Sequence, residues 1–445
     1  MRCVPKFLRA VAAAAAILAA GAACAQGPRP APDATAAPAW LATARPLTRG
    51  PEDYEALAAA ARGKRFVLLG EDTHGTSEFY LERARITERL IRDGAVSAVA
   101  IEADWPEVER VNRYVRGLSN ETAEQALGDL REFPRWMWRN TEFLGFVERL
   151  RTHNQTLPPE QRVGLYGMDV QNLGAAIASV LAYLDRTDPA AAARARSSYR
   201  CFPREGGSEE AYGLLARRPK ASCEEQARTV LAEFVTKTAP ADPVQAEALF
   251  MAASAAANVV GAEAYIRAQY AGTLAWNVRD RAMAAAVESM ARHGGRLRDR
   301  PGQVVAWAHN THVGDARATD ARYRGEINLG QVLREQAAAA TLLVGFLTHG
   351  GTVIAAEEWD QPGRRRDLRP ALPGSWSAAF RELGRGDVVV PTAGAGPTTG
   401  VLERAVGVIY LPQQERQSHY FEADLTRQFD WVVYIDTSRA VTPLR

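Results

Sequence analysis

Six short apolar runs constrain this chain more than any other feature: residues 66–69 (FVLL), 97–102 (SAVAIE), 163–168 (VGLYGM), 304–308 (VVAWA), 342–347 (LLVGFL) and 431–435 (WVVYI). Each is too brief for a helix and apolar without alternation, which is how a strand buried on both faces reads. Helix-period segments separate the first three runs, at 79–92, 106–116 and 141–153, and another, 52–62, precedes them. The alternation predicts an α/β fold with a mainly parallel sheet flanked by helices and right-handed crossovers.

Between about 173 and 292 no strand-like run occurs, while Ala, Glu, Arg and Leu recur at helical spacing over 221–237 and 243–290. This is expected to be a large helical insertion within one α/β domain spanning 48–445. Residues 26–47 are rich in Pro and Ala and lack an apolar period, so they read as a linker, with the fold beginning after it. The basic stretch Arg364, Arg365 and Arg366 reads as a solvated loop.

At the N-terminus, Arg2, Lys6 and Arg9 precede an apolar run over 11–23 that ends in Ala23, Cys24 and Ala25. That order is expected of a secretory signal peptide over residues 1–25, which makes the protein exported, periplasmic or secreted. Lipidation at Cys24 is the competing outcome, disfavoured because Gly21 stands three residues before it. No second membrane span is expected. Cleavage removes three basic residues and no acidic one, turning the formal charge from +2 to −1, so no nucleic-acid partner is expected. Cys201 and Cys223 remain, either bridged, as export invites, or as two free thiols.

Polar residues stand just beyond the carboxyl ends of four runs: Glu71 and His74 after the first, Glu102 and Asp104 at the second, Asp169 after the third, His309 and His312 after the fourth. In open parallel sheets ligands bind outside the carboxyl ends of strands, so these side chains are expected to converge on one crevice. Within Gly70-Glu71-Asp72-Thr73-His74-Gly75 the histidine is presented at a strand-to-helix junction, where an imidazole can serve as a base near neutrality and Glu71 can orient it. For His309 and His312 two roles stay open: hydrogen-bond donation to developing negative charge, or metal ligation together with Glu71, His74 or Asp169.

No Gly-x-Ser-x-Gly elbow, no catalytic-looking cysteine and no Walker-type phosphate loop occurs. Histidine-activated water is the mechanism that survives. No cofactor is expected, a divalent metal being the alternative.

Seven ordered segments add a resemblance: LLGEDTHGTSEFY from Leu68, AIEADWPEVERVNRY from Ala100, FPRWMWRNTEFLGFVERLRTHN from Phe133, LYGMDVQNL from Leu165, LAWNVRDRAMA from Leu274, VVAWAHNTHVGD from Val304 and QSHYFEADL from Gln417. On these motifs the chain, from about Leu41 to Leu444, resembles the erythromycin esterase family of hydrolases. The resemblance implies that His74 deprotonates water, that Glu71 positions it, and that Arg83 is the motif arginine stabilising substrate or a site carboxylate. It extends to Glu102 and His309, and to His312 and Asp169.

The activity implied is hydrolysis of a small-molecule ester or lactone, a macrolide lactone being one candidate. The aromatics Trp105, Trp136, Trp138 and Trp276 are candidates to line the cleft, and His419 and Tyr420 candidates for its rim. Arg279 and Asp280 are expected to pair locally. A metal-dependent hydrolase using Glu71, His74, His309 and Asp169, and an exported protein that binds a small ligand without turning it over, are the alternatives.

Overall fold

The computed structural model describes residues 38–444 apart from 51, 133, 203–208, 219, 393, 397 and 399. The signal segment, Cys24 and residues 26–37 of the expected linker lie outside the described residues. From Ala39 the chain is already folded: a short 3-10 turn spans Ala39–Thr43, Leu41 is buried, and Arg45–Pro46 adds to the sheet. The linker boundary at 47 is thereby corrected, because Pro and Ala mask a segment whose few apolar residues still find the core.

The strands in chain order are β1 (Arg45–Pro46), β2 (Phe66–Leu69), β3 (Val96–Asp104), β4 (Gly164–Asp169), β5 (Gln303–Trp307), β6 (Thr341–Ala355), β7 (Arg364–Leu368), β8 (Val388–Pro391), β9 (Leu402–Arg404), β10 (Tyr420–Glu422) and β11 (Trp431–Ser438). Among the described residues nine of them form one sheet in the order β1-β8-β11-β6-β2-β5-β3-β4, with β7 paired to β6, while β9 and β10 form a separate ribbon. All pairs from β11 to β4 along that order are parallel; β1, β7 and β8 are antiparallel additions. Every residue of β2, β3, β4 and β5 is buried, as strands covered by helices on both faces require. One apolar layer of the core runs through Leu68, Ala100 and Ala306 and the other through Val67, Val99 and Val305, one on each face.

The strand β6 extends beyond its apolar run, because Gly350 to Ala355 carries on as a hairpin arm with β7. The arginine stretch at 364–366 is therefore a strand rather than a loop, with Arg366 paired to Glu357 at 2.6 Å.

Between β4 and β5 lie helices Leu173–Thr187, Pro189–Tyr199, Glu209–Ala216, Glu224–Val235, Pro243–Ala271 and Ala275–Arg298. The helical spacing over 243–290 belongs to two helices, since Gly272 adopts the left-handed conformation (φ 70°) that ends a helix at little steric cost. Pro243–Ala271 is long and apolar enough to cross a membrane, contrary to expectation. Most of its apolar window is instead buried within the fold, and Glu247, Asn258 and Glu263 are buried on it as well.

Cys201 and Cys223 are bridged, with Cα atoms 5.9 Å apart. The bond closes a loop of 22 residues, for which chain entropy gives about 3 kcal/mol. Thermal melts with and without reductant are expected to show a clear drop in Tm on reduction; an unchanged melt would show that the bridge adds nothing to stability.

Candidate active site

Parallel register sets the site. Leu69 pairs with Trp307 across β2 and β5, Ile101 with Trp307 across β3 and β5, and Ile101 with Gly167 across β3 and β4. The residues that follow leave four adjacent strands at one level, and His74, Glu102, Asp104, Asp169, His309 and His312 line a single cavity of about 630 Å³. Glu71 and Arg83 do not line it but are buried directly behind His74.

The turn that carries His74 is held against the neighbouring strands. A side chain at Gly70 would come within 2.0 Å of the Asn310 side chain, and one at Gly75 within 2.0 Å of the Ile354 carbonyl. Both glycines serve close approach to other chain segments. The His74 amide donates to the Val406 carbonyl at 3.1 Å, and the Tyr80 hydroxyl donates to the His74 carbonyl at 3.1 Å. His74 Nδ1 lies 2.9 Å from Glu71 Oε1, so with Nδ1–H donating to the carboxylate the lone pair resides on Nε2. Glu71 Oε2 sits 2.8 Å from Arg83 Nη2, an ion-pair contact outside linear hydrogen-bond geometry. Arg83 is fully buried with its guanidinium over the rings of Tyr80 (4.6 Å) and Trp307 (5.1 Å). Its partner is thus the site carboxylate rather than substrate.

Facing this dyad, the His309 ring lies 4.9 Å from that of His74. Its Nδ1 accepts from the Thr311 amide at 3.3 Å and sits 2.9 Å from the Thr311 hydroxyl, which leaves the proton on Nε2. Nε2 is buried and makes no hydrogen bond of good geometry, although the Asp72 backbone lies near enough to the ring to act as an acceptor that favours its protonated form. Burial, reinforced by His74, holds the His309 imidazole well below its ordinary value, so it stays neutral.

A buried ion network forms the adjoining wall. Arg279 donates to both oxygens of Asp169 at 2.8 and 2.6 Å and to Glu102 Oε1 at 3.0 Å. Glu102 Oε2 accepts the His309 amide at 2.9 Å. Asp280 holds His312 Nδ1 at 2.8 Å, and Glu102 Oε1 lies 3.3 Å from His312 Nε2. Burial alone lowers His312, but Asp280 and then Glu102 overcome it and push the imidazole up to about 9. His312 is therefore a cation at neutral pH, and its 3.2 Å approach to Arg279 Nη1 is a like-charge contact tolerated because three carboxylates surround the pair. Burial would raise Glu102, yet His312, His74 and Arg279 hold it well below the carboxylate range. Asp104 goes the other way: burial and the neighbouring Asp169 raise it well above that range.

Arg279 and Asp280 do not pair with each other, as was expected; each reaches a different partner. With Trp276, which stacks on His312 at 4.3 Å, they occupy one helix face at positions i, i+3 and i+4, a spacing visible in LAWNVRDRAMA but read only as a local pair. Trp138 also lines the cavity and donates to the Glu102 carbonyl at 2.8 Å. Trp105 does not: it stacks on Tyr166 in the core (5.5 Å, 7°). Trp136 lines a different cleft. His419 and Tyr420 are turned away from the cavity, His419 Nε2 accepting the Leu411 amide and the Tyr420 hydroxyl accepting the Leu372 amide. The next residue, Phe421, lines the cavity instead, since side chains alternate along β10. Among the described residues no group of three or more His, Cys, Asp or Glu side chains could hold a metal ion, and Asp169 has both oxygens engaged by Arg279.

Three solved structures share this architecture: a succinoglycan biosynthesis protein (18% identity, TM-score 0.72, 91% of this chain and 96% of that one), a Bacillus cereus protein (17%, 0.72, 91% and 97%) and a histidine-to-asparagine variant of the erythromycin esterase EreC in its open conformation (16%, 0.59, 87% and 94%). At such identities they show the fold. The erythromycin esterase family model matches residues 91–438, a span that begins after the His74 segment but includes Glu102, Asp169, Arg279, Asp280, His309 and His312. Matched over most of its length, the chain belongs to the erythromycin esterase family, a family of hydrolases.

Proposed function

We propose that the protein is a carboxylic ester hydrolase in which His74 is the general base that activates water, a macrolide lactone being one candidate substrate. The observation that carries this reading is the His74–Glu71 contact at 2.9 Å, which leaves a basic Nε2 on a histidine lining a cavity large enough for a substantial ligand. Nε2 takes a proton from water as its oxygen attacks the ester carbonyl carbon. The resulting oxyanion collapses, the carbon–oxygen bond to the alcohol breaks, and the imidazolium returns its proton to the departing alkoxide. The products are an acid and an alcohol, together heavier than the ester by one water.

The oxyanion needs a donor with a free N–H. Arg279 is tied to Asp169 and Glu102, and His312 is held by Asp280 and Glu102, whereas among the described residues His309 Nε2–H meets no carboxylate and makes no hydrogen bond of good geometry. His309 is the donor in this reading. Export accords with the basic, apolar and small-residue order at the N-terminus and with the Cys201–Cys223 bridge. An ester and lactone panel assayed by mass spectrometry in ¹⁸O-labelled water is the test. One labelled oxygen in the acid product and no trapped acyl-protein are expected; absence of hydrolysis across the panel, or an isolable acyl-protein, would overturn the reading.

A further inference from the structure

Next to the catalytic cavity lies a second cleft, about 290 Å³, lined by Arg131, Arg135, Trp136, Arg139 and Asp360 together with the 443–444 segment. Three guanidinium groups meet one carboxylate there. Arg131 is largely exposed, donates to the Gly128 carbonyl at 2.7 Å and lies 3.6 Å from Asp129, while Arg135 and Arg139 have no carboxylate partner at ion-pair distance among the described residues. Two donors in this lining are buried and unsatisfied: Trp136 Nε1, on a side chain 7% exposed, and Arg139 Nε. Buried N–H groups are seldom left without an acceptor, and two of them in the wall of a cationic cleft call for an acceptor from outside the chain.

We propose that this cleft binds a small oxyanion of the phosphate or carboxylate class, held by Arg135 and Arg139 with the indole N–H of Trp136. Arginine presents several donors in a planar fork suited to such groups, and the lining leaves that charge uncompensated. The cleft communicates with the catalytic cavity through shared elements: Arg135 lines both, and Trp359 of the β6–β7 hairpin lines the cavity while the next residue, Asp360, lines the cleft. The oxyanion is therefore either a free anion or the charged end of an ester whose carbonyl lies by His74.

Calorimetric titration of the whole protein with inorganic phosphate at constant ionic strength tests the site. Saturable one-to-one binding is expected, weakened about tenfold or more by Arg139→Gln, as loss of a hydrogen bond to a charged group implies. Trp136→Phe, which keeps the ring and removes the N–H, is expected to weaken binding less, and melts without phosphate report whether either variant is folded. Absence of saturable binding, or equal binding in wild type and Trp136→Phe together with a folded Arg139→Gln, would overturn the proposal. Phosphate that competes with a carboxylate-bearing ester but not with its neutral analogue identifies the anion as the substrate's end; binding without competition identifies a separate ligand. Failure of every ester to react would remove the esterase reading while leaving the phosphate titration as an independent test.

Discussion

His74→Ala is expected to lower kcat for ester hydrolysis by about 10²–10⁴-fold, the usual contribution of a positioned base, while the melting temperature changes little. The reason lies in what the imidazole touches. Its Nδ1 meets Glu71, and its other face borders the cavity and His309, so truncation removes a proton acceptor rather than a core side chain. Glu71 keeps Arg83 at 2.8 Å, so the mutation leaves that buried carboxylate with its cation. Steady-state kinetics with a reactive ester, alongside a thermal melt, check the prediction. A folded variant with wild-type turnover would eliminate His74 as the base.

Arg279→Met is expected to destabilise the protein by about 3–5 kcal/mol, as removing one partner of a buried ionic network does. Glu102 and Asp169 would then be buried without the guanidinium that joins them, and only Glu102 retains a cation, His312. Urea denaturation at several pH values gives a second reading. His312 is raised in the fold, so its contribution to stability is full below the unfolded value near 6.5 and is lost as pH rises through about 9. Burial likewise raises Asp72 and Glu403 to about 8, so the native state holds protons that the unfolded chain has released from about pH 4 upward. All three push in one direction, and stability is expected to fall between pH 6 and pH 9. A flat or rising profile would contradict the buried-charge assignment, as would an Arg279→Met variant as stable as wild type.

Much of the fold was legible because buried parallel strands need unbroken apolar runs, and each of the six marks a strand of the sheet. The gathering of Glu102, Asp169, His309 and His312 with His74 was legible too, since parallel register brings the carboxyl ends of β2, β5, β3 and β4 to one level. The antiparallel additions were harder to see. Val388–Pro391 is short, and Arg364–Leu368 hides behind three arginines whose side chains mostly face solvent.

Side-chain direction was beyond local reading. Which of the four candidate tryptophans face the cavity, Trp138 and Trp276 but not Trp105 or Trp136, depends on how separate helices and turns lie on the sheet. Phe421 rather than Tyr420 lines the site because a one-residue change of position along a strand reverses the face. Apolar periodicity and the residues closing each strand are properties of neighbours in the chain, and they announced the sheet and its chemically rich edge. Partner choice is a property of neighbours in space. Only packing brought Arg279 to Asp169 and Glu102, and Asp280 to His312, because charges taken out of water pair with whatever opposite charge the fold places within reach.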